Sequence, residues 1–228
     1  NSMGKLQVSS NPFIERDGSM VRLDLIHPSF YLGGDPVETA RCLLGKILYT
    51  RGDGRPTAGR IAETEAYCGP EDRASHAWGN RRTSRTQTMF MAGGHAYVYR
   101  CYGIHDLFNV VTGPEGIPHA VLIRAVEPLE GQAEMASRRG LIEGHEGIGR
   151  GPGGLTRALG IDRSANGVCL HQLESPVQLC EGLGHVEESD IAATPRIGVD
   201  YAGEWALRPW RFYLVHSRSV SGRKRPGR

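Results

Sequence analysis

Two glutamates and a tyrosine alternate with other side chains in the segment RIAETEAY, residues 60–67. A period of two is typical of a strand, and it places Glu63, Glu65 and Tyr67 on one face. This face is poorly suited to a hydrophobic core. It indicates either a pocket wall that contains an acid or an ordinary solvated face, and the pattern does not choose between the two glutamates.

A second alternating segment, AYVYRC at residues 96–101, places Tyr97 and Tyr99 together on one face. Gly93 and Gly94 form a turn signal before it, and a Tyr-Gly pair at 102–103 ends it. The connecting residues 68–88 form an arginine-rich loop. Guanidinium groups suit phosphate oxygens, so we expect contacts to a nucleic-acid backbone from Arg81, Arg82 and Arg85.

Polar side chains interrupt two apolar segments further along the chain. Asn109 lies within LFNVV, residues 107–111, and Arg124 lies within AVLIRAV, residues 120–126. A buried arginine needs a carboxylate partner, so Arg124 is expected to pair with one of the two glutamates. Asn109 either faces the same pocket or is satisfied by backbone groups.

The remaining pattern predicts one mixed α+β domain with a mostly antiparallel, curved sheet and short helices. Asp35 is an N-cap with Pro36 after it, so we predict a helix from there to about Leu44. Further helices are predicted over 128–139 and 155–159. We expect a flexible leader at 1–20, the domain at 21–217 and a basic tail at 218–228.

Composition restricts the class of protein. The 228 residues carry a formal net charge of +2, which by itself does not indicate a nucleic-acid binder. Only Lys5, Lys46 and Lys224 are lysines, so most of the basic residues are arginine, which indicates phosphate or base contacts or simply the base composition of the gene. Long apolar runs and a secretory signal are absent, so we expect neither membrane association nor secretion.

The five cysteines are scattered and form no CxxC pair. This spacing argues against a zinc site and against a disulfide framework, and it favours a reducing, intracellular compartment. We therefore expect no metal and no cofactor.

Four longer motifs resemble one family. ETEAYxGPEDxASH, MFMxxGxxYVYxxYG, FNVV and VLIRAVEPLEG occur here in the order and spacing of the alkyladenine (3-methyladenine) DNA glycosylases, over about residues 25–213. The resemblance implies a monofunctional glycosylase that starts base excision repair. It would flip alkylated or deaminated purines out of double-stranded DNA and hydrolyse the N-glycosidic bond with an activated water.

The resemblance also implies roles for individual residues. Glu65 would be the general base, and Arg124 would hold the water and pair with the acid. The base pocket would consist of Tyr67, His76, Tyr99 and Asn109, with Asn109 excluding the exocyclic amine of guanine. Tyr102 would be the wedge that fills the gap in the duplex. His76 is also one candidate for an acid toward neutral leaving bases.

This chain departs from the family at two places. Gly154 stands where the family usually has a lysine, and Thr86-Gln87 stands where it often has Asn-Arg. A charged DNA contact is therefore absent at each, unless Arg82 and Arg150 substitute. Lys46 is the only lysine outside the predicted leader and tail, which favours water over a Schiff-base nucleophile.

Two other functions remain open at this point. A non-catalytic module could keep the fold and sense a flipped base, and a hydrolase could act on small N-glycosides. The presence of Glu65, Tyr67, Tyr99 and Arg124 argues against a non-catalytic module. The arginine-rich loop and Tyr102 argue against a hydrolase of small N-glycosides. The expected partner is damaged double-stranded DNA, bound by a monomer wherever the genomic DNA lies.

Overall fold

The computed structural model of the protein describes residues 11–51 and 55–222. In this part of the chain ten strands and three α-helices follow one another, together with short 3-10 helices. The strands are β1 (Phe13–Arg16), β2 (Ser19–Arg22), β3 (Ile47–Thr50), β4 (Thr57–Cys68), β5 (Ala96–Cys101), β6 (His105–Thr112), β7 (His119–Glu130), β8 (Val177–Cys180), β9 (Ile191–Thr194) and β10 (Arg211–Leu214). The helices are α1 (Pro36–Cys42), α2 (Gln132–Arg139) and α3 (Pro152–Leu159).

Strand β4 lies at the centre of an eight-stranded sheet. One edge of β4 pairs with β7, and the other pairs first with β3 and then with β10. Strands β6 and β5 extend the sheet beyond β7, while β9 extends it beyond β10 and β8 beyond β3. All of these pairs are antiparallel, which confirms the predicted α+β class with a mostly antiparallel sheet.

The first helix forms as its local sequence predicts. The carboxylate of Asp35 accepts a hydrogen bond from the backbone N–H of Val37 at 2.8 Å, and Pro36 occupies the first turn. Helix α1 packs on β4, and α3 packs on β6 and β7. The main core between helices and sheet is apolar; its largest fully buried members include Phe108, Leu43 and Ile123.

The structure changes the predicted ends of the domain. Strands β1 and β2 form a hairpin in which Ile14 is 1% exposed, so the predicted flexible leader over 1–20 is too long, and its first ten residues lie outside the described part. At the other end, Ser219 and Val220 are buried. The predicted tail therefore begins inside the fold, and only residues 223–228 lie outside the described residues.

The predicted helix over 128–139 is wrong in its first part. Strand β7 continues through Pro128, which pairs with Gly59 of β4, and the helix begins at Gln132. Gly131 separates the two elements at φ +67°, and a Cβ there would lie 2.5 Å from the carbonyl oxygen of Pro56. This turn requires glycine, so the strand ends there and the helix starts later. None of the helices formed by described residues is long and apolar enough to cross a lipid bilayer.

Candidate active site

Irregular pairing between β4 and β7 places the polar side chains of the site. The register shifts on both sides of Glu63, so that Glu63 faces Ala125 while the next residue, Thr64, faces Ile123. Arg124 lies between these two partners and has no direct partner of its own across the ladder. Such bulges redirect side chains, and here Arg124 reaches both glutamates of β4.

Glu65 is fully buried and accepts three hydrogen bonds. Its donors are the hydroxyl of Tyr67 at 2.9 Å, Nη1 of Arg124 at 3.3 Å and the backbone N–H of Ile197 at 2.8 Å. Burial raises the pKa of Glu65 above its ordinary value, and these three donors offset that rise only in part. The site therefore contains a carboxylate that is more basic than a solvated one.

Glu63 has different surroundings, although it is equally buried. It accepts hydrogen bonds from Nε of Arg124 at 2.9 Å and from Nε of Arg211 at 2.6 Å. The backbone N–H and the hydroxyl of Ser221 donate to it at 2.7 and 2.9 Å. Two arginines and one serine thus enclose the Glu63 carboxylate. Neither Glu63 nor Glu65 is itself part of the lining of the neighbouring pocket, but Tyr67 and Arg124, which both bond Glu65, are.

A pocket of about 460 Å³ opens beside the Glu65–Arg124 pair. It brings together the predicted pocket residues, the predicted wedge and Arg124 at one end of the sheet. Apolar side chains form much of the rest of its wall. The predicted site residues in its lining are Tyr67, His76, Tyr99, Tyr102, Asn109 and Arg124.

The aromatic wall of this pocket is built from three rings in mutual contact. The centroids of His76 and Tyr99 lie 4.6 Å apart with their planes at 81°, and those of Tyr97 and Tyr99 lie 5.4 Å apart. Nδ1 of His76 lies 3.1 Å from the hydroxyl oxygen of Tyr97. These contacts fix the rings and leave a preformed surface on which a planar ligand can stack.

His76 is neutral near pH 7. Burial, and secondarily the charge of Arg85, lower the pKa of His76 to about 4. This lowered pKa argues against His76 as the acid for neutral leaving bases near physiological pH. A neutral ring adds no further positive charge to a pocket that Arg85 and Arg124 already line.

Asn109 fits both of its predicted roles. It is 4% exposed, and its amide nitrogen donates to the carbonyl oxygen of Tyr97 at 3.1 Å. This bond satisfies part of the side chain through the backbone, and Asn109 lines the pocket as well.

Tyr102 projects from the turn between β5 and β6. Its side chain is 92% exposed, and its backbone has φ +49°, with Gly103 following at φ +71°. Below the turn, the Arg100 guanidinium and the Asp106 carboxylate form two hydrogen bonds of 2.9 and 3.0 Å between the strands. An exposed aromatic side chain on a left-handed, braced turn is suited to insertion between bases.

The predicted backbone-contact arginines are exposed; Arg81 and Arg85 line one groove, and Arg82 lies outside it. Arg85 lies over the Tyr99 ring at 5.0 Å and lines the pocket itself. Arg82 lies over the Phe90 ring at 4.8 Å. Arg81 lines an adjacent groove with Arg73 and Arg85. Their positions place positive charge on the pocket rim.

A second buried ion pair adjoins the site and was not predicted. Both Nη atoms of Arg196 bond the carboxylate of Asp72, at 2.5 and 2.9 Å, and both side chains are fully buried. The Arg196 guanidinium also stacks over the Tyr67 ring at 4.7 Å. Asp72 belongs to the quoted GPED segment, but no sequence signal connects it with Arg196, since 124 residues separate them.

The absent side chain at Gly154 leaves space that another basic residue occupies. A Cβ built on Gly154 would lie 3.1 Å from Nη2 of Arg139 on α2. The same guanidinium donates to the carbonyl oxygens of Ile148 and Gly147 at 3.0 and 3.3 Å. Positive charge therefore lies beside the first turn of α3, although it comes from a different helix.

Comparison with known proteins gives one consistent result. The family model for methylpurine-DNA glycosylases matches residues 29–218. A protein of Bacillus cereus strain B4264, provisionally named 3-methyladenine DNA glycosylase, is 46% identical over 200 residues, covering 85% of this chain and 97% of its own length. A protein of Chlamydia abortus with the same name is 45% identical over 195 residues, covering 83% and 98%. The chain belongs to the methylpurine-DNA glycosylase family and is a DNA glycosylase.

Proposed function

We propose that the protein removes alkylated and deaminated purines from double-stranded DNA by hydrolysing the N-glycosidic bond with a water activated by Glu65. The observation that carries this proposal is the position of Glu65. It is a buried carboxylate with a raised pKa, and two of its hydrogen-bond donors, Tyr67 and Arg124, line a pocket with aromatic sides.

The difference between the two glutamates supports Glu65 as the base. Glu63 is bonded by Arg124, Arg211 and Ser221, and of these three only Arg124 lines the pocket. Glu65 bonds Tyr67 and Arg124, and both of these side chains line the pocket. A water beside the Glu65–Arg124 pair would lose a proton to Glu65 as it attacks the anomeric carbon.

The aromatic wall supports selection of alkylated purines. A purine methylated at N3 or N7 is cationic while it is attached to the sugar, and its ring is electron-poor. Stacking against Tyr67 and Tyr99 attracts such a ring by cation–π terms of roughly 0.5–2 kcal/mol each. Undamaged purines carry no charge and gain less from the same surfaces.

Leaving-group charge divides the substrates into two classes. A cationic purine departs as a neutral molecule, so an ionised Glu65 and a water are sufficient. A deaminated purine such as hypoxanthine is neutral, and it leaves as an anion unless it gains a proton. Because His76 is neutral near pH 7, that proton must come from water or from the base itself.

Tyr102 supports action on a duplex. Extrusion of a nucleotide leaves a gap in the stack and costs a few kcal/mol. An exposed tyrosine at the mouth of the base pocket is placed to fill that gap. Wedge, pocket and carboxylate all come from one chain, and on that ground we propose that a monomer acts on genomic DNA.

The lysines support a monofunctional enzyme. A glycosylase that also cuts the strand uses an amine to form a Schiff base. Among the described residues Lys46 is the single lysine; its ammonium pairs with Glu181, and neither residue lines the base pocket. Hydrolysis by water would leave an abasic site with an intact backbone.

The test is release of free base from duplex DNA carrying 3-methyladenine or 7-methylguanine, followed by chromatography. The expected result is release of the methylated purines without strand cleavage before alkali treatment, and no release from the corresponding free nucleosides. Release from nucleosides at the same rate would instead show an enzyme for small N-glycosides. Strand cleavage without alkali would overturn the monofunctional assignment.

A further inference from the structure

The segment after β10 returns to the site and contacts its charged centre. Ser221 makes four hydrogen bonds there, two of them to the carboxylate of Glu63 through its N–H and its hydroxyl. The third is accepted by the Ser221 hydroxyl oxygen from Nη2 of Arg124 at 3.1 Å, and the fourth by its carbonyl oxygen from Nη2 of Arg211 at 2.7 Å. One residue thus connects three buried charges.

The three nitrogens of the Arg124 guanidinium have three different partners. Nε donates to Glu63, Nη1 donates to Glu65 and Nη2 donates to the hydroxyl of Ser221. A guanidinium is planar and rigid, so fixing Nε and Nη2 also fixes the direction of Nη1. The contact between Arg124 and Glu65 therefore depends on the partners of the other two nitrogens.

A hydroxyl is suited to this position because it donates and accepts at the same time. Ser221 accepts from the positive Arg124 and donates to the negative Glu63, both at hydrogen-bonding distance. Alanine would leave Nη2 of Arg124 without this acceptor and would remove one donor from Glu63. Unmet hydrogen bonds to buried charged groups are costly, so the guanidinium would reorient.

We infer that Ser221 is a positioning residue that holds Arg124 in the orientation required for its contact with Glu65. The inference rests on the proposed function of Glu65, and it assigns to the end of the described chain a direct part in assembling the active site. The arrangement around Glu63 thereby gains a purpose: it anchors Arg124 rather than taking part in the reaction.

The test compares Ser221→Ala with Ser221→Thr and with Ser219→Ala, each in the full chain. Thr keeps the hydroxyl, so Ser221→Thr is the rescue variant. Ser219 lies in the same segment and is buried, but its bond in this region is made by its backbone N–H to Ser217, so Ser219→Ala is the matched control. Each variant is assayed for single-turnover base release from methylated duplex across pH, for DNA binding and for melting temperature.

For Ser221→Ala we expect a rate of release roughly tenfold to hundredfold lower, with damaged-duplex binding little changed. The rising limb of its pH profile is expected at higher pH, because a misplaced Arg124 stabilises the Glu65 carboxylate less. The charged and titratable groups acting on Glu65 are Glu63, Tyr67, Tyr99, Arg124 and Arg196, and these stay the same in all three variants.

The outcomes separate the inference from the function on which it rests. Wild-type rate and pH profile in Ser221→Ala would overturn the positioning role. Equal damage in Ser221→Ala and Ser221→Thr would also overturn it, even if both variants fold poorly, because the hydroxyl would not be the cause. Failure of the proposed function is recognised independently, by a Glu65→Gln variant that still releases base at the wild-type rate.

Discussion

Two buried arginine–carboxylate pairs lie next to Tyr67, and their surroundings differ. One pair is Asp72–Arg196 and the other is Glu65–Arg124. The Asp72 carboxylate accepts hydrogen bonds from both Nη atoms of Arg196 and from the backbone N–H groups of Cys68 and Ala74. Neither member of this pair lines the base pocket. The pair joins the loop after β4 to the chain before β10, and it supports the Tyr67 ring from behind.

The Glu65–Arg124 pair is looser, and it reaches the pocket through Arg124. Its single hydrogen bond is 3.3 Å long, compared with 2.5 and 2.9 Å for the two bonds of the other pair. Arg124 lines the pocket, and burial raises the pKa of Glu65. An ion pair with neither member at the pocket contributes rigidity, whereas a carboxylate with a raised pKa whose partner lines the pocket is a candidate for proton transfer.

The comparison is tested most strongly by removing the carboxylate that bonds the pocket residues Tyr67 and Arg124. Glu65→Gln should lower the rate of base release by on the order of 10²–10⁴-fold, because the amide cannot accept a proton from water. Binding to damaged duplex should stay nearly intact. Single-turnover release and fluorescence anisotropy measure the two quantities. Near-normal turnover would exclude Glu65 as the base and make Glu63 the candidate.

Removing the Asp72 carboxylate should mainly lower the stability of the fold. Asp72→Asn leaves the Arg196 charge buried without its counter-ion, and we expect a loss of about 3–5 kcal/mol in the free energy of unfolding. Urea denaturation measures this. Asp24→Asn is the matched control, because its pairing with Arg22 is exposed. An Asp72→Asn variant with wild-type stability and no activity would reverse the roles of the two pairs.

The wedge lies outside both ion pairs and should have a smaller effect. Tyr102→Ala should reduce the preference for damaged over normal duplex by roughly tenfold, about 1.4 kcal/mol, because the gap left by the flipped base is unfilled. Competition binding with paired oligonucleotides measures the preference. Ile142→Ala removes another highly exposed apolar side chain, which does not line the pocket, and should leave the preference unchanged. Equal preference in wild type and Tyr102→Ala would exclude a wedge.

His76 should produce the smallest effect, and it should concern stability rather than catalysis. Its pKa is lowered in the folded protein to about 4 from an ordinary 6.5, so the unfolded chain binds the proton more readily. The stabilising contribution is complete above pH 6.5 and is lost as the pH falls toward 4. His76→Gln should flatten part of this acid slope, while His119 and His171, whose pKa values are also lowered, retain the rest. If His76→Gln leaves the dependence of stability on acid pH unchanged, the imidazole of His76 is not held neutral by burial.

Local sequence patterns predicted much of the site because strand periodicity and capping are local. The alternation at Glu65 and Tyr67 correctly placed both residues on a strand beside the pocket, and Asp35 correctly predicted the start of α1. The helix expected at Pro128 failed because a local rule for proline cannot detect that β4 continues to pair with this strand.

The supporting contacts could not be predicted from local patterns, because they join distant parts of the chain. Arg196 meets Asp72, and Ser221 meets Glu63, across 124 and 158 residues. The bulge that directs Arg124 arises from the pairing of two strands, and neither strand alone encodes it. The segment containing Ser221 was expected in a tail because its composition is basic, and because Glu63 and Arg124, which it contacts, lie 158 and 97 residues away.

The protonation state of Glu65 gives the most direct test of this account. Single-turnover release of 3-methyladenine from duplex DNA should rise with pH through one ionisation, centred above the ordinary carboxyl value of 4.5, and then level off. The sign follows because the base acts when deprotonated and burial raises its pKa. The residual rate of Glu65→Gln should lack this limb. If the Glu65→Gln variant keeps the same rising limb, another group activates the water and the central claim is wrong.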